Sequence, residues 1–237
     1  MPKFSDIPQL GTARYTVNVG WDYLPLTLYR EVHRYGLDVN PNFQRGRVWN
    51  EAQKISYVEY VLRGGRSGRD IYLNCPGHHF GRVGPDYEDG WYVLVDGKQR
   101  IDAALSFLNN EFKIFGQWYY RDYTDRLRFT VANFVWHVAD FKTIEEVYQW
   151  YIDLNVGGTV HTPTDISKVK YLLDNKMPYS RPIITEAEHQ IGIEREVLQV
   201  ARREYEEEEA QQAARSERSR QEAEAKASKS KRKKVSK

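Results

Sequence analysis

Residues 91–95 form a continuous apolar run that stops at Asp96-Gly97. A strand written this way has no polar side to give to water, so it must be covered on both faces. The chain is therefore obliged to build a sheet with material packed above and below it. Gly97 lets the backbone turn tightly, and the apolar spacing over residues 101–108 predicts a helix that begins near Arg100 and ends at Asn109-Asn110. The expected fold class is α+β, a mixed sheet with packed helices.

The remaining periodicity fills in that frame. Residues 15–21 alternate as a strand does, and residues 26–35 read as a helix with Leu28, Val32 and Tyr35 on one face and Gly36 as its stop. Residues 37–39 predict a short strand before the Asn40-Pro41-Asn42 turn. Asn50 and Gln53 have the spacing of a capping box, followed by a stripe of Ile55, Val58, Val61 and Leu62 and a Gly64-Gly65 stop. Residues 71–73 are a strand and 76–90 a Gly-, Pro- and Asp-rich surface loop. Residues 112–115, 117–120 and 127–138 are aromatic and β-branched, which predicts strands or hairpin arms. Thr143 and Glu146 repeat the capping-box spacing ahead of a helix carrying Val147, Trp150, Tyr151 and Leu154, stopped by Gly157-Gly158. A further helix is expected over residues 164–175.

From about Glu194 the composition turns to Glu, Gln, Arg and Ala, which reads as a charged helix fraying into a disordered Lys/Ser tail. The expected organisation is an N-terminal arm (1–14), a globular domain (15–182), a charged helical extension (183–225) and a basic tail (226–237). Net charge is +2, but the seven basic residues after Ala225 meet no acid, so the remainder carries −5. A body-wide nucleic-acid surface is thereby disfavoured, and Lys231, Arg232, Lys233 and Lys234 are the expected contacts to nucleic-acid phosphate. No apolar run reaches the roughly 18 residues of a membrane span, and the N-terminus lacks a signal-peptide layout, so a cytoplasmic protein is expected. Cys75 is the sole cysteine, which excludes an internal disulfide.

Three stretches can carry chemistry. In Asp96-Gly97-Lys98-Gln99-Arg100, a helix start presents outward N–H groups that suit phosphate. Arg100 would add a planar fork, Lys98 a point charge, and Asp96 an oxygen ligand for Mg²⁺ or a hold on a water. The same residues are compatible with plain capping by Asp96 and a surface ion pair at Arg100. Phe43-Gln44-Arg45, ahead of Trp49, offers amide and guanidinium donors, or else a loop whose rings plug the core. Asn155-Val156-Gly157-Gly158-Thr159 reads as a helix stop, or as a turn that lets backbone N–H groups approach a ligand.

In combination and order, these stretches resemble the N-terminal domain of GmrSD-type modification-dependent restriction endonucleases, itself similar to the ParB/sulfiredoxin-like fold. The family's pattern is Tyr-Gln-Arg before a Trp, then Asp-Gly-Gln-Gln-Arg, then Asn-x-Gly-Gly-Thr, and the likeness covers about residues 26–173. The resemblance implies a ParB-like scaffold that binds, and in some members hydrolyses, a nucleoside triphosphate with Mg²⁺. Asp96 and Arg100 would be catalytic, with Asp96 on the metal. Gln44, Arg45, Gly97, Lys98, Gln99, Asn155, Gly157, Gly158 and Thr159 would hold nucleotide. Lys98 replaces the usual Gln and Phe43 the usual Tyr.

In the family, nucleotide binding licenses an HNH-type nuclease domain to cut DNA. No HNH-like pattern is present among His33, His78, His79, His137, His161 and His189. The expected role is a nucleotide-dependent switch in a restriction, phage or other DNA-related process, with a separate nuclease or effector as partner. The alternatives are a nucleic-acid-binding adaptor, or a nuclease built on Asp96 and Asp102. Sulfiredoxin-like chemistry is disfavoured, because Cys75 lies well before the strand-to-helix turn.

Overall fold

The computed structural model describes residues 10–44, 49–77, 92–125, 130–156 and 163–177, together with residues 3, 6, 7, 127, 215 and 218. Among them the chain runs β1 (Tyr15–Gly20), α1 (Leu24–His33), α2 (Glu51–Leu62), β2 (Asp70–Asn74), β3 (Val93–Asp96), α3 (Lys98–Leu108), β4 (Asn133–Ala139), α4 (Ile144–Val156) and α5 (Pro163–Asp174). The strands form one mixed sheet in the order β1-β4-β2-β3. β4 runs antiparallel to β1 and parallel to β2, and β2 runs antiparallel to β3. The α+β class expected from the sequence is what the chain forms.

The apolar run ahead of Asp96 is covered as its composition demands. Val93, Leu94 and Val95 are at most 1% exposed. Leu94 faces a cluster with Trp21, Leu28, Val58, Ile71 and Trp136, whereas Val93 and Val95 face a second one with Phe43, Val147, Tyr148 and Tyr151. Burying each such side chain contributes about 1.5–3 kcal/mol, so three in succession fix this strand at the centre of the packing. The β2–β3 register shifts between Tyr72 and Leu73. Val95 is thereby squeezed out of the ladder immediately before Asp96, and a bulge of this kind re-aims the residue beside it.

Both capping boxes form. Asn50 Oδ1 accepts the Gln53 N–H at 2.9 Å and Gln53 Oε1 accepts the Asn50 N–H at 3.0 Å. Thr143 and Glu146 exchange the equivalent bonds at the start of α4. Gly36, at φ 71°, stops α1 by donating its N–H to the Val32 carbonyl. The Gly157-Gly158 stop and most of the loop over residues 76–90 lie outside the described residues, as do the extension and tail apart from Arg215 and Arg218, both helical.

Four expectations need adjusting. Residues 37–39 give only an isolated parallel bridge, Asp38 to Val93, because the Asp38 carboxylate takes the Asn40 N–H at 2.7 Å and bends the chain away ahead of Pro41. Residues 112–120 form no strand beyond an Ile114–Trp118 bridge around Phe115 and Gly116, which have φ 51° and 68°. Their aromatic content serves packing instead, with Phe112 and Tyr120 both in ring contact with Phe107 of α3. β4 begins at Asn133 rather than at residue 127. Finally, α3 starts at Lys98, two residues earlier than predicted, because the Gly97 carbonyl already accepts the Arg100 and Ile101 N–H groups.

Candidate functional site

Gly97 is the hinge of the site. Its φ of 109° belongs to the left-handed region that favours glycine, and a Cβ there would stand 2.4 Å from Ile71 Cδ1 and 3.3 Å from Ile71 Cα. Strand β2 thus passes directly beneath the turn, and any other residue there would be strained. From this turn Arg100 reaches back and Nη2 donates to Asp96 Oδ2, a pair whose side chains are only 18% and 30% exposed. The ion-pair reading of Arg100 is therefore correct as geometry. Being partly buried, the pair also holds the guanidinium in one orientation.

The turn opens onto a pocket of about 1000 Å³. Asp96, Gly97, Gln99 and Arg100 line one side, Leu154 and Asn155 at the end of α4 another, and Trp49 with the Asn50–Tyr60 side of α2 a third. Residues from all three sequence stretches, or directly beside them, therefore converge on one cavity. The connections are specific. Gln99 Oε1 accepts the Trp49 N–H at 3.2 Å, which ties the entrance of α2 to the central motif. Asn155 lines the pocket while its Nδ2 donates to the Tyr151 carbonyl at 2.6 Å.

Other expected ligand residues are placed differently. Gln44 Nε2 donates to the Leu94 carbonyl, and Lys98 Nζ donates to Asn40 Oδ1. Both side chains brace the 40–44 turn against β3 and α3, and neither is part of the pocket wall. Phe43 is buried edge-on against Tyr148 and Tyr151, so its ring plugs the core as expected. Arg45, Gly157, Gly158 and Thr159 lie outside the described residues, as do Lys231, Arg232, Lys233 and Lys234.

Asp102, the second carboxylate considered for a nuclease, is turned away. It is 6% exposed and pairs with Lys54 at 2.7 Å, joining α3 to α2. Cys75 is buried, and burial, with Glu31 and Asp140 adding to it, pushes its thiol up to about 12. That is the opposite of an activated nucleophile.

Several wall residues escaped the sequence reading. In-register pairing sets Thr16, His137, Tyr72 and Asp96 in one row across the sheet. His137 Nε2 is hydrogen-bonded to Asp70 Oδ1 at 2.7 Å and its ring stacks on Tyr72 at 4.7 Å. Asp70 and Tyr72 both line the pocket. Burial, and then the Asp70 carboxylate, raise the Tyr72 phenol above its ordinary range, while Arg100 opposes the rise. Burial likewise raises Tyr57, whose hydroxyl donates to the Gly68 carbonyl at 2.7 Å. The available signal was the second stripe of α2, with Ala52, Gln53, Ser56, Tyr57 and Tyr60 at helical spacing.

As oxygen donors, Asp70 and Asp96 have the chemistry of ligands for a hard cation. No group of three or more His, Cys, Asp or Glu side chains suited to a metal stands together among the described residues. A cation held by Asp70 or Asp96 would therefore need to draw its remaining ligands from water or a bound molecule. No described helix is long and apolar enough to cross a membrane. No family model, curated protein or solved structure matches the chain.

Proposed function

We propose that this pocket binds a nucleoside triphosphate together with Mg²⁺, on a scaffold of the ParB/sulfiredoxin-like kind. In this reading the protein is a nucleotide-dependent switch in a DNA-related or defence-related process. The observation that carries it is the convergence of Asp96, Gly97, Gln99 and Arg100 with Asn155 and Trp49 on one cavity of about 1000 Å³, a volume within the range of small-molecule sites. The helix start at Gly97 directs backbone dipoles at the ligand's phosphates. Arg100, held in orientation by Asp96, supplies a planar fork for two phosphate oxygens.

Two carboxylates facing the same space would repel a polyphosphate by themselves. A divalent cation between them supplies the missing positive charge, with Asp96 its first protein ligand and Asp70 within the same wall. Phosphoryl transfer rests mainly on positioning and charge neutralisation, so this donor set is adequate for slow hydrolysis as well as for binding. The tail lysines and Arg232 would supply any contact to DNA phosphate, and a separate effector would receive the signal.

Calorimetric titration of the full chain with ATP, GTP, CTP and UTP, each with Mg²⁺, tests the reading, accompanied by a phosphate-release assay. At least one nucleotide is expected to bind, and Asp96→Ala and Arg100→Ala should each weaken it about tenfold or more, or about 1.4 kcal/mol. EDTA should remove the binding. Failure of all four nucleotides to bind overturns the proposal.

A further inference from the structure

Tyr60 is 43% exposed, lines the pocket, and is nevertheless held still. An exposed tyrosine on a helix ordinarily moves among rotamers. Here its hydroxyl is hydrogen-bonded to Ser67 Oγ at 2.5 Å and accepts the Ser67 N–H at 3.2 Å. Beneath the ring lies Gly65, where a Cβ would come within 2.4 Å of Cε1, 2.4 Å of Cζ and 2.6 Å of Cδ1. An approach to the ring edge would single out one nearest atom. Three near-equal distances mean that the glycine backbone lies under the face.

Gly65 is itself fixed. Its N–H donates to the Tyr60 carbonyl at 2.9 Å, and its carbonyl accepts Arg69 Nε at 2.7 Å. The buried Arg69 guanidinium continues to Asn133 Oδ1 on β4 at 3.0 Å, which anchors the loop to the sheet. One face of Tyr60 is therefore packed and its hydroxyl tethered, and the residue lines the cavity. Trp49 and Tyr57, which also line it, pack on each other at 5.3 Å and are more enclosed. The Tyr57 phenol, one turn before Tyr60, lies within electrostatic reach of Arg100, and all three residues line the same cavity.

We infer that Tyr60 is a preformed stacking platform for the planar heterocyclic base of the ligand, whose phosphates lie towards Asp96 and Arg100. This rests on the nucleotide reading of the pocket and assigns its other end. Base–aromatic stacking tolerates any base, since each has a π-face, and an immobilised ring loses little entropy when it is covered.

The test compares a nucleotide with a ligand that has phosphates but no base. The full chain is titrated with the tightest-binding Mg²⁺–nucleoside triphosphate and with Mg²⁺–tripolyphosphate. Tyr60→Ala is expected to weaken the nucleotide about tenfold or more while leaving tripolyphosphate within about twofold. Tyr60→Phe keeps the ring over Gly65 but loses the Ser67 tether, so it should weaken nucleotide less than Tyr60→Ala does and leave tripolyphosphate unchanged. Arg100→Ala should weaken both ligands. Tyr60→Leu, which retains apolar bulk over Gly65, carries the same expectation as Tyr60→Ala if the alanine variant folds poorly. Equal losses for both ligands, or no loss for either, overturn the inference. Binding of tripolyphosphate without any nucleotide binding overturns it too, with the phosphate end intact. Binding of neither shows that the nucleotide reading itself is wrong.

Discussion

Gly97 carries the heaviest local constraint in the site. Its left-handed φ and the 3.3 Å approach to Ile71 Cα leave a β-carbon nowhere to go. Gly97→Ala should cost about 2–3 kcal/mol of stability by urea denaturation, and a change below about 0.5 kcal/mol would contradict this account of the turn. The glycine was legible in the sequence because a strand that stops and a helix that starts within two residues leave little alternative. Gln44 and Lys98 were not legible in the same way. Donor-rich side chains beside a motif suggest ligand contacts, but these two bond to Leu94 and Asn40, partners at least 50 residues away in the chain. Tyr60 was hidden for a related reason. Its importance depends on Gly65 and Ser67 folding back over the end of α2, which no periodicity encodes.

At the scale of elements, local chemistry spoke most clearly where a short-range hydrogen bond decides the outcome. The boxes at Asn50–Gln53 and Thr143–Glu146, and the left-handed stop at Gly36, are all readable from a few neighbouring residues. Of the strands or hairpin arms expected over residues 112–120 only the antiparallel Ile114–Trp118 bridge forms, because aromatic content alone does not separate a strand from a segment that wraps the end of α3. Beside the apolar packing of α2 on α3, one contact that the sequence does not announce joins them, Lys54 with Asp102. Lys54 also donates to Ser106 Oγ at 3.0 Å. Removing one partner of so enclosed a pair strands the other charge, so Asp102→Ala should cost about 3–5 kcal/mol by urea denaturation. The double variant Lys54→Met/Asp102→Leu should recover most of that loss. A cost below about 1 kcal/mol for Asp102→Ala would mean that the pair does not hold the helices together.

At the scale of the whole molecule, the sheet order β1-β4-β2-β3 does what no single motif can. It brings Asp70 and Tyr72 of β2 beside Asp96 of β3, with His137 of β4 behind them, and leaves α2 and the end of α4 to close the cavity. The α+β class was readable from the alternation of helical and strand periods; that Trp49 and Asn155 line one pocket with the central turn comes from the packing. The acidic and aromatic half of the wall was not readable, because it is assembled by register across strands far apart in sequence. In the proposed reading Asp96, Asp70 and Arg100 would serve the cation and phosphates, and Tyr60 on α2 the base. The most direct measurement is a crystal structure of the full chain with Mg²⁺ and a non-hydrolysable nucleoside triphosphate. Phosphate oxygens within hydrogen-bonding distance of Arg100 and the first turn of α3, with the cation at Asp96, are the expected result. A saturated crystal with this pocket empty, or with the nucleotide held elsewhere, would contradict the account.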